Sequence, residues 1–253
     1  RKVFVLIIST SPNPLVKLNF LGGLGLANSL VDGVFDFVDS YFQKLIAIDK
    51  TFTVKFLNSI PPHTMTSLFQ TNIAEQIALL QALDPLDSVV RNAASLSVQS
   101  LQSGGKLMFC GNGGSAADCQ HLAAELTGRF IKDRRPLAAI ALSTDTSAIT
   151  CISNDYSFDE VFARQVQGLG RAGDVLLAIS TSGNSRNVIR AVEEARVAGM
   201  SVIGLLGRNG GGLNELCDVS IVVPSQVTAR IQESHILIGH TLCGMIEQQL
   251  GLV

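Results

Sequence analysis

Two short loops rich in glycine and serine have the composition of an anion-binding site. The first glycine loop is Gly111-Asn112-Gly113-Gly114-Ser115, which follows an apolar run and precedes a helical pattern. Glycine lets backbone N–H groups approach an anion, and a helix N-terminus adds positive partial charge. The loop has neither the Gly-Lys-Ser/Thr of a Walker loop nor GxGxxG spacing. On its own it is equally typical of an ordinary strand-to-helix connection.

The second loop, called here the serine loop, is Ser180-Thr181-Ser182-Gly183-Asn184-Ser185 and also separates an apolar run from a helical pattern. Its hydroxyl and amide groups suit a sugar phosphate, although a serine-rich helix cap would look similar. Ligands of open α/β sheets bind at the carboxyl edge of the strands, where two such loops would meet. The pair therefore predicts a sugar-phosphate site. Neither loop pairs a nucleophile with a base, so a hydrolase is not predicted.

An acid–base pair follows the first glycine loop. His121 and Glu125 are spaced i, i+4, so they share one face of the helix that the loop opens. Such a pair can orient a proton donor and acceptor or supply two metal ligands. The alternative is a solvated contact on an amphipathic helix. Two to three helical turns separate the pair from the loop, within reach of a sugar whose phosphate lies there.

The last helical segment carries Gln232, His235 and His240. Gln232 and His240 are eight residues apart, roughly 80° around the helix and about 12 Å along it. A sugar reaches both more easily than a single small ion does. His235 lies nearer to Gln232, so spacing leaves the choice between the two histidines open. Taken alone, His235 is expected on the helix surface.

The hydrophobic pattern predicts the helices and strands that position these motifs. Helices are expected from Leu68 to about Leu83, from about Leu86 to Leu101, and from about Val227 to Leu250. Short apolar runs, typical of parallel strands covered on both faces, occur at Lys106–Cys110, Leu137–Leu142, Val175–Ser180, Val202–Leu206 and Val219–Val223. Five strands alternating with helices predict a doubly wound α/β domain preceded by N-terminal helices.

Composition narrows the functional classes. Of 253 residues 47% are hydrophobic and 16% charged, which suffices for a full core. The net charge of −2 disfavours a nucleic-acid partner. Since no run of about 18 apolar residues occurs, no membrane span is predicted. Five cysteines without a CxxC pair indicate buried thiols in a reducing compartment, hence a cytoplasmic protein.

The composition changes near residue 65. Residues 1–64 hold seven of the twelve phenylalanines and no glutamate or methionine, and Pro61-Pro62 close the segment. This segment is either an added N-terminal module or sequence upstream of a native start at Met65. We favour Met65 as the native start. We assign residues 1–64 no function and residues 65–253 the functional domain.

The motifs of residues 65–253 together resemble the phosphoheptose isomerases, which belong to the sugar-isomerase (SIS) domain superfamily. The motifs are GNGGSAADCQHLAAELTGRF at 111–130, ISNDYSFDEVF at 152–162, GDVLLAISTSGNSRNVI at 173–189 and ARIQESHILIGH at 229–240. The resemblance covers essentially all of 65–253. It implies a three-layer α/β fold with a five-stranded parallel sheet and a homotetramer with active sites at subunit interfaces. It also implies conversion of sedoheptulose 7-phosphate to D-glycero-D-manno-heptose 7-phosphate, for lipopolysaccharide core biosynthesis.

The resemblance also implies roles for single residues. By position, the substrate contacts are Asn112, Gly113, Gly114, Ser115, Glu125, Asn154, Asp155, Ser180, Thr181, Ser182, Ser185 and Gln232. Members of the family carry zinc, and the matching ligands are His121, Glu125, Gln232 and His240. Glu125 and His240 match the proposed acid–base pair, which favours His240 over His235.

Two other functions are open at this point. One related branch serves as a partner of a bacterial replication initiator, or a relative could sense a phosphosugar without catalysis. That branch lacks the catalytic carboxylate and the last histidine, whereas this chain has Glu125 and His240. The other alternative is a SIS-domain enzyme that acts on a hexose or pentose phosphate, because loop identity does not determine sugar length.

Overall fold

The computed structural model describes residues 67–253, so the predictions for residues 1–64 lie outside the described residues. The strands are β1 (Leu107–Gly111), β2 (Ala139–Ala141), β3 (Val175–Ser180), β4 (Ser201–Gly207) and β5 (Val219–Val223). The α-helices are α1 (Leu68–Gln81), α2 (Asp87–Gln102), α3 (Gly114–Thr127), α4 (Thr146–Asp155), α5 (Ala163–Leu169), α6 (Arg186–Val197) and α7 (Thr228–Gln249). Over these residues, none of the helices is both long and apolar enough to span a bilayer.

The strands form one parallel sheet in the order β2-β1-β3-β4-β5, which confirms the predicted fold class. In the register, Phe109 of β1 pairs with Ala141 on one side and Leu177 on the other. The predicted strand 137–142 is shorter in the structure and comprises only β2. Leu137 is buried, but its N–H group donates to the carbonyl of Leu126 at the end of α3. An apolar run indicates buried residues, and here the buried residues extend beyond the hydrogen-bonded strand β2.

The two faces of the sheet are covered by different helices. One core contains residues of α2, α3 and α7, and the other contains residues of α5 and α6. Thus α3 follows β1 on one face, while α6 follows β3 on the opposite face. Because β1 and β3 are neighbours, the two connections diverge between them, and a crevice opens at the carboxyl edge of the sheet. Both predicted loops lie at this edge.

Helix α7 packs against α1 as well as against the sheet. Arg230 of α7 donates to the carbonyl of Asn72 at 3.2 Å, and Gln76 of α1 donates to Ser234 at 3.2 Å. These contacts hold the N-terminal helix to the helix that carries Gln232 and His240. The predicted N-terminal helices therefore support the last helix directly.

The expectation that His235 lies on the helix surface is wrong. The residue is fully buried, and its Nε2 lies 2.9 Å from the carbonyl oxygen of Leu206 at the end of β4. Among the described residues, Nδ1 has no hydrogen-bond partner. Burial lowers the pKa of His235 to about 4, and the hydrogen bond to Leu206 opposes this shift. Spacing along a helix does not reveal which face packs on the sheet. In α7, the face that carries His235 packs on the sheet.

His235 predicts an acid-sensitive component of stability. The pKa is about 4 in the folded chain and 6.5 ordinarily, so the unfolded chain binds more protons between these values. The neutral His235 therefore contributes about 3 kcal/mol to the free energy of unfolding. This contribution is complete above about pH 6.5 and is lost as the pH falls toward 4. We expect His235→Gln to remove this part of the pH dependence, measured as free energy of unfolding against pH. Identical slopes in both proteins would contradict it.

The cysteine prediction is partly wrong. All five thiols are free, and Cys110, Cys119 and Cys243 are buried as expected. Cys151 is exposed on α4, and Cys217 is only partly buried. Burial raises the pKa of Cys243 to about 12, so this thiol stays protonated near neutral pH.

Candidate active site

Hydrogen bonds made by its own serine hydroxyl groups stabilise the serine loop. The Ser180 and Ser185 Oγ atoms lie 3.1 Å apart, and Ser180 Oγ accepts a hydrogen bond from the Gly183 N–H at 3.1 Å. Ser182 Oγ accepts from the Asn184 N–H at 3.2 Å. Ser185 is the N-cap residue of α6, so the loop ends at a helix N-terminus. This arrangement provides hydroxyl and backbone donors at the positive end of a helix dipole.

A second glycine-rich segment, residues 210–212, packs against the serine loop. A Cβ at Gly183, whose φ is +67°, would lie 1.8 Å from the carbonyl oxygen of Gly210. Asn184 Oδ1 accepts from the Gly212 N–H at 2.9 Å, and the Leu213 N–H donates to the Gly183 carbonyl at 3.0 Å. This segment was not predicted as part of the site, although the three consecutive glycines at 210–212 are a signal in the sequence.

A pair of amides links the first glycine loop to the first turn of α6, the helix that directly follows the serine loop. Asn112 Nδ2 donates to Asn187 Oδ1, and Asn187 Nδ2 donates to Asn112 Oδ1, both at 2.8 Å. Asn187 lies in the first turn of α6 and is buried. The reciprocal bonds leave Asn112 one N–H and one lone pair for another partner. Asn187 was not predicted as a site residue.

Gln232 lies against the first glycine loop. A Cβ at Gly114 would come within 2.4 Å of Gln232 Nε2, so a side chain at this position would displace the end of the Gln232 side chain. Ser115, the next residue, is buried at the start of α3. The structure therefore brings the predicted residue Gln232 of α7 to the predicted residue Gly114 at the carboxyl edge of the sheet.

The side chains of His121, Glu125 and His240 form a three-residue group, called here the His–Glu–His cluster. His121 Nε2 lies 3.2 Å from Glu125 Oε1 and 2.9 Å from His240 Nε2. The three possible ligand atoms lie within 4.8 Å of one another. Two imidazole nitrogens and a carboxylate at this separation fit a tetrahedral zinc ion, whose ligand bonds are about 2.0–2.2 Å long. They also fit a proton-transfer group.

Phe130 and Asp118 border the His–Glu–His cluster. The Phe130 ring stacks on the His240 ring, with centroids 5.5 Å apart and planes 18° apart. Asp118 Oδ2 is buried with no hydrogen-bond partner in the described chain. Burial raises the pKa of Asp118, and the nearby imidazoles of His121 and His240 oppose that rise. Neither residue was predicted for the site.

Asn154 and Asp155 lie apart from these contacts. Both are exposed at the end of α4, and Asn154 Nδ2 donates to Asp155 Oδ1 at 2.7 Å. Asp155 also accepts a hydrogen bond from Cys151, and the Asn154 and Cys151 bonds lower the pKa of Asp155. No hydrogen bond within residues 67–253 joins the pair to the two loops, so their role in substrate binding stays a prediction.

A match to a known domain family identifies the class of protein to which this sheet and its two loops belong. Residues 72–207, more than half of the chain, match the SIS domain family. This range contains both loops together with His121 and Glu125, while Gln232 and His240 follow it on α7.

Comparison with individual relatives identifies the family within that class. The phosphoheptose isomerase of a Nitratiruptor species is 60% identical over 159 residues, which are 63% of this chain and 85% of the relative. That of Aliarcobacter butzleri is 51% identical over 186 residues, or 74% of this chain and 98% of the relative. The solved phosphoheptose isomerase of Neisseria gonorrhoeae is 52% identical and covers 70% of this chain and 96% of its own, with a TM-score of 0.67. The chain belongs to the phosphoheptose isomerase family of SIS-domain proteins.

Proposed function

We propose that this chain is an aldose–ketose isomerase that converts sedoheptulose 7-phosphate to D-glycero-D-manno-heptose 7-phosphate. The observation that carries the proposal is the His–Glu–His cluster, held by α3 and α7 beyond two loops suited to a phosphate. The names of relatives that are 50–60% identical support the seven-carbon substrate. In that family the product supplies heptose for the lipopolysaccharide core.

The phosphate is bound by the two loops, according to this proposal. Ser180, Thr181, Ser182 and Ser185 supply hydroxyl groups, and Asn112 through Ser115 supply backbone N–H groups beside the start of α3. His121 and Glu125 follow the first glycine loop by about 10–16 Å along that helix. Binding energy from the remote phosphate then orients the reacting end of the sugar at the cluster. Asn154, Asp155 and Gln232 are proposed as further contacts to the sugar.

The reaction moves a proton between two carbons. Glu125 removes a proton from C1 of the ketose, a cis-enediol forms, and the same carboxyl group returns a proton to C2. His240 is the proposed acid, which transfers protons at the sugar oxygens or opens the sugar ring. Its Nε2 faces His121 Nε2 at 2.9 Å, so one imidazole of the pair donates and the other accepts.

The residues present fit a zinc ion. His121, Glu125 and His240 would hold it, with Gln232 as the proposed fourth ligand. When bound, zinc would supply Lewis-acid polarisation of the sugar carbonyl. Because a carboxylate bound to a metal is a weaker base, Glu125 is proposed to serve as ligand in one state and as base in another.

We propose a homotetramer because the family resemblance implies one, and the surface of α1 supports self-association. Phe69, Ile73, Ile77 and Leu80 recur at helical spacing and are exposed. An apolar stripe of this kind marks an interaction surface, and a second copy of the chain is the proposed partner. A cytoplasmic location and the absence of nucleic-acid and membrane partners stay predictions.

The test is direct conversion of sedoheptulose 7-phosphate by the full chain, with the aldose heptose 7-phosphate as readout. We expect turnover that a chelator abolishes and added zinc restores. A panel of pentose and hexose phosphates measures the chain-length preference. A folded, zinc-loaded protein that converts none of these sugars would overturn the proposal and favour the non-catalytic binding function, tested by capture of a replication initiator.

A further inference from the structure

A buried ion pair lies next to the His–Glu–His cluster without belonging to it. Arg134 Nε and Glu247 Oε1 are 2.7 Å apart, and the two side chains are 2% and 0% exposed. Removing two charges from water is costly unless their remaining donors and acceptors are also satisfied. The partners that satisfy them are therefore informative.

Arg134 binds the end of α3. Its Nη2 donates to the carbonyl of Glu125 at 2.7 Å, and Nη1 donates to the carbonyls of Leu126 and Gly128, both at 2.8 Å. The last carbonyls of a helix have no partner within the helix, and a cation there also complements the helix dipole. The guanidinium thus restrains the backbone of Glu125 itself.

Glu247 binds the segment that follows α3. Its two carboxylate oxygens accept from the N–H groups of Phe130 at 3.1 Å and Ile131 at 3.2 Å. Phe130 is the residue whose ring stacks on His240. Glu247 also follows His240 by seven residues on α7, so both side chains lie on the same side of that helix.

We propose that Arg134 and Glu247 are positioning residues that hold the end of α3, and with it Glu125, at a defined distance from His240. Neither contacts the substrate. The pair connects the backbone of Glu125, the backbone under Phe130 and the helix of His240 in one network of hydrogen bonds. This inference rests on the proposed isomerase function for its kinetic consequence, while the geometry it predicts can be measured without substrate.

The test uses the full chain with Arg134→Met, Glu247→Gln, and the double variant Arg134→Met/Glu247→Leu. The double variant leaves no orphaned charge, so it keeps the test informative if a single variant does not fold. Asp174→Asn is the matched control. Asp174 is also a buried carboxylate, paired with Lys106 and bonded to the Arg171 N–H, but within residues 67–253 it makes no hydrogen bond to α3 or α7. Each protein is assayed at the same interval below its own Tm.

We expect each folded variant of the pair to lower kcat at least tenfold with KM changed less than threefold, because the phosphate loops are untouched. The Asp174→Asn control is expected to lower Tm and leave kcat within twofold. Arg134→Lys, which keeps the charge but lacks the planar fork, is expected to restore only part of kcat.

A second readout does not depend on turnover. The Phe130 ring shifts the His240 imidazole protons in the NMR spectrum, and Phe130→Leu gives the value without that ring. We expect the pair variants to move the His240 signal toward that value, and Asp174→Asn to leave it in place. A stable double variant with wild-type kcat and an unmoved His240 signal would overturn the proposal. If the wild type does not isomerise sugars, the NMR comparison alone decides the positioning role, separately from the proposed function.

Discussion

The Glu125→Gln variant is expected to keep its fold and lose isomerase turnover by about 10²- to 10⁴-fold. Glutamine has the same shape but does not accept the substrate proton, and its neutral amide is a poorer metal ligand. Its backbone carbonyl still accepts from Arg134, so α3 is expected to end as before. The measurement is kcat with sedoheptulose 7-phosphate, together with the thermal melt and the zinc content of the same preparation.

The zinc content separates two causes of the loss. A variant that binds zinc normally and fails to turn over has lost a base, whereas a zinc-free variant has lost a ligand. Glu194→Gln is the control, because Glu194 also forms an i, i+4 ion pair on a helix but lies on α6 with Arg190. We expect His240→Gln to lose turnover as well. Near-normal kcat in Glu125→Gln or in His240→Gln would be incompatible with the proposed acid–base pair.

The second large effect is expected at Gly183. In Gly183→Ala the new methyl group would lie 1.8 Å from the Gly210 carbonyl oxygen, at a backbone φ of +67°. Backbone atoms must move on at least one side, at a cost of about 3–5 kcal/mol of folding free energy. The same movement displaces the hydroxyl groups of the serine loop from the positions at which they are proposed to bind the phosphate. We expect kcat/KM to fall at least tenfold, mainly through KM.

Gly104→Ala separates the cost of the dihedral angle from the cost of the clash. Gly104 has a φ of +81°, yet a Cβ there would meet nothing within 4 Å. We expect Gly104→Ala to lower stability by about 1 kcal/mol and leave kcat/KM unchanged. The measurements are chemical denaturation and steady-state kinetics. If Gly183→Ala proved no more harmful than Gly104→Ala, the packing of Gly183 against residue 210 would have no role in shaping the loop.

The sheet was predictable from the sequence because parallel strands covered on both faces are apolar throughout and end at glycine or serine turns. All six residues of β3 are buried, and its predicted bounds agree with the structure. The two loops were predictable for the same reason, since each follows such a strand and opens a helix. The i, i+4 proximity of His121 and Glu125 follows from helix geometry alone.

Contacts between distant segments were not predictable in this way. Glu247 and Phe130 are 117 residues apart, and Asn112 and Asn187 are 75 apart. No local spacing encodes such pairs, because they arise only when segments distant in the sequence come together around the same sheet. His235 was misplaced for the same reason, since the buried face of α7 is set by its neighbours. His240 was favoured over His235 by resemblance, and the packing now shows that His240 faces His121.

The reciprocal amide pair between Asn112 and Asn187 has a consequence for substrate affinity. Because Asn187 is buried in the first turn of α6, directly after the serine loop, the two loops are held together through this helix before any sugar arrives. The conformational entropy of ordering the two loops relative to each other is therefore lost during folding and not during association. A preorganised pair of loops lets more of the interaction energy with the phosphate appear as affinity. Opening this pair would weaken binding even of inorganic phosphate, a ligand too small to reach the His–Glu–His cluster.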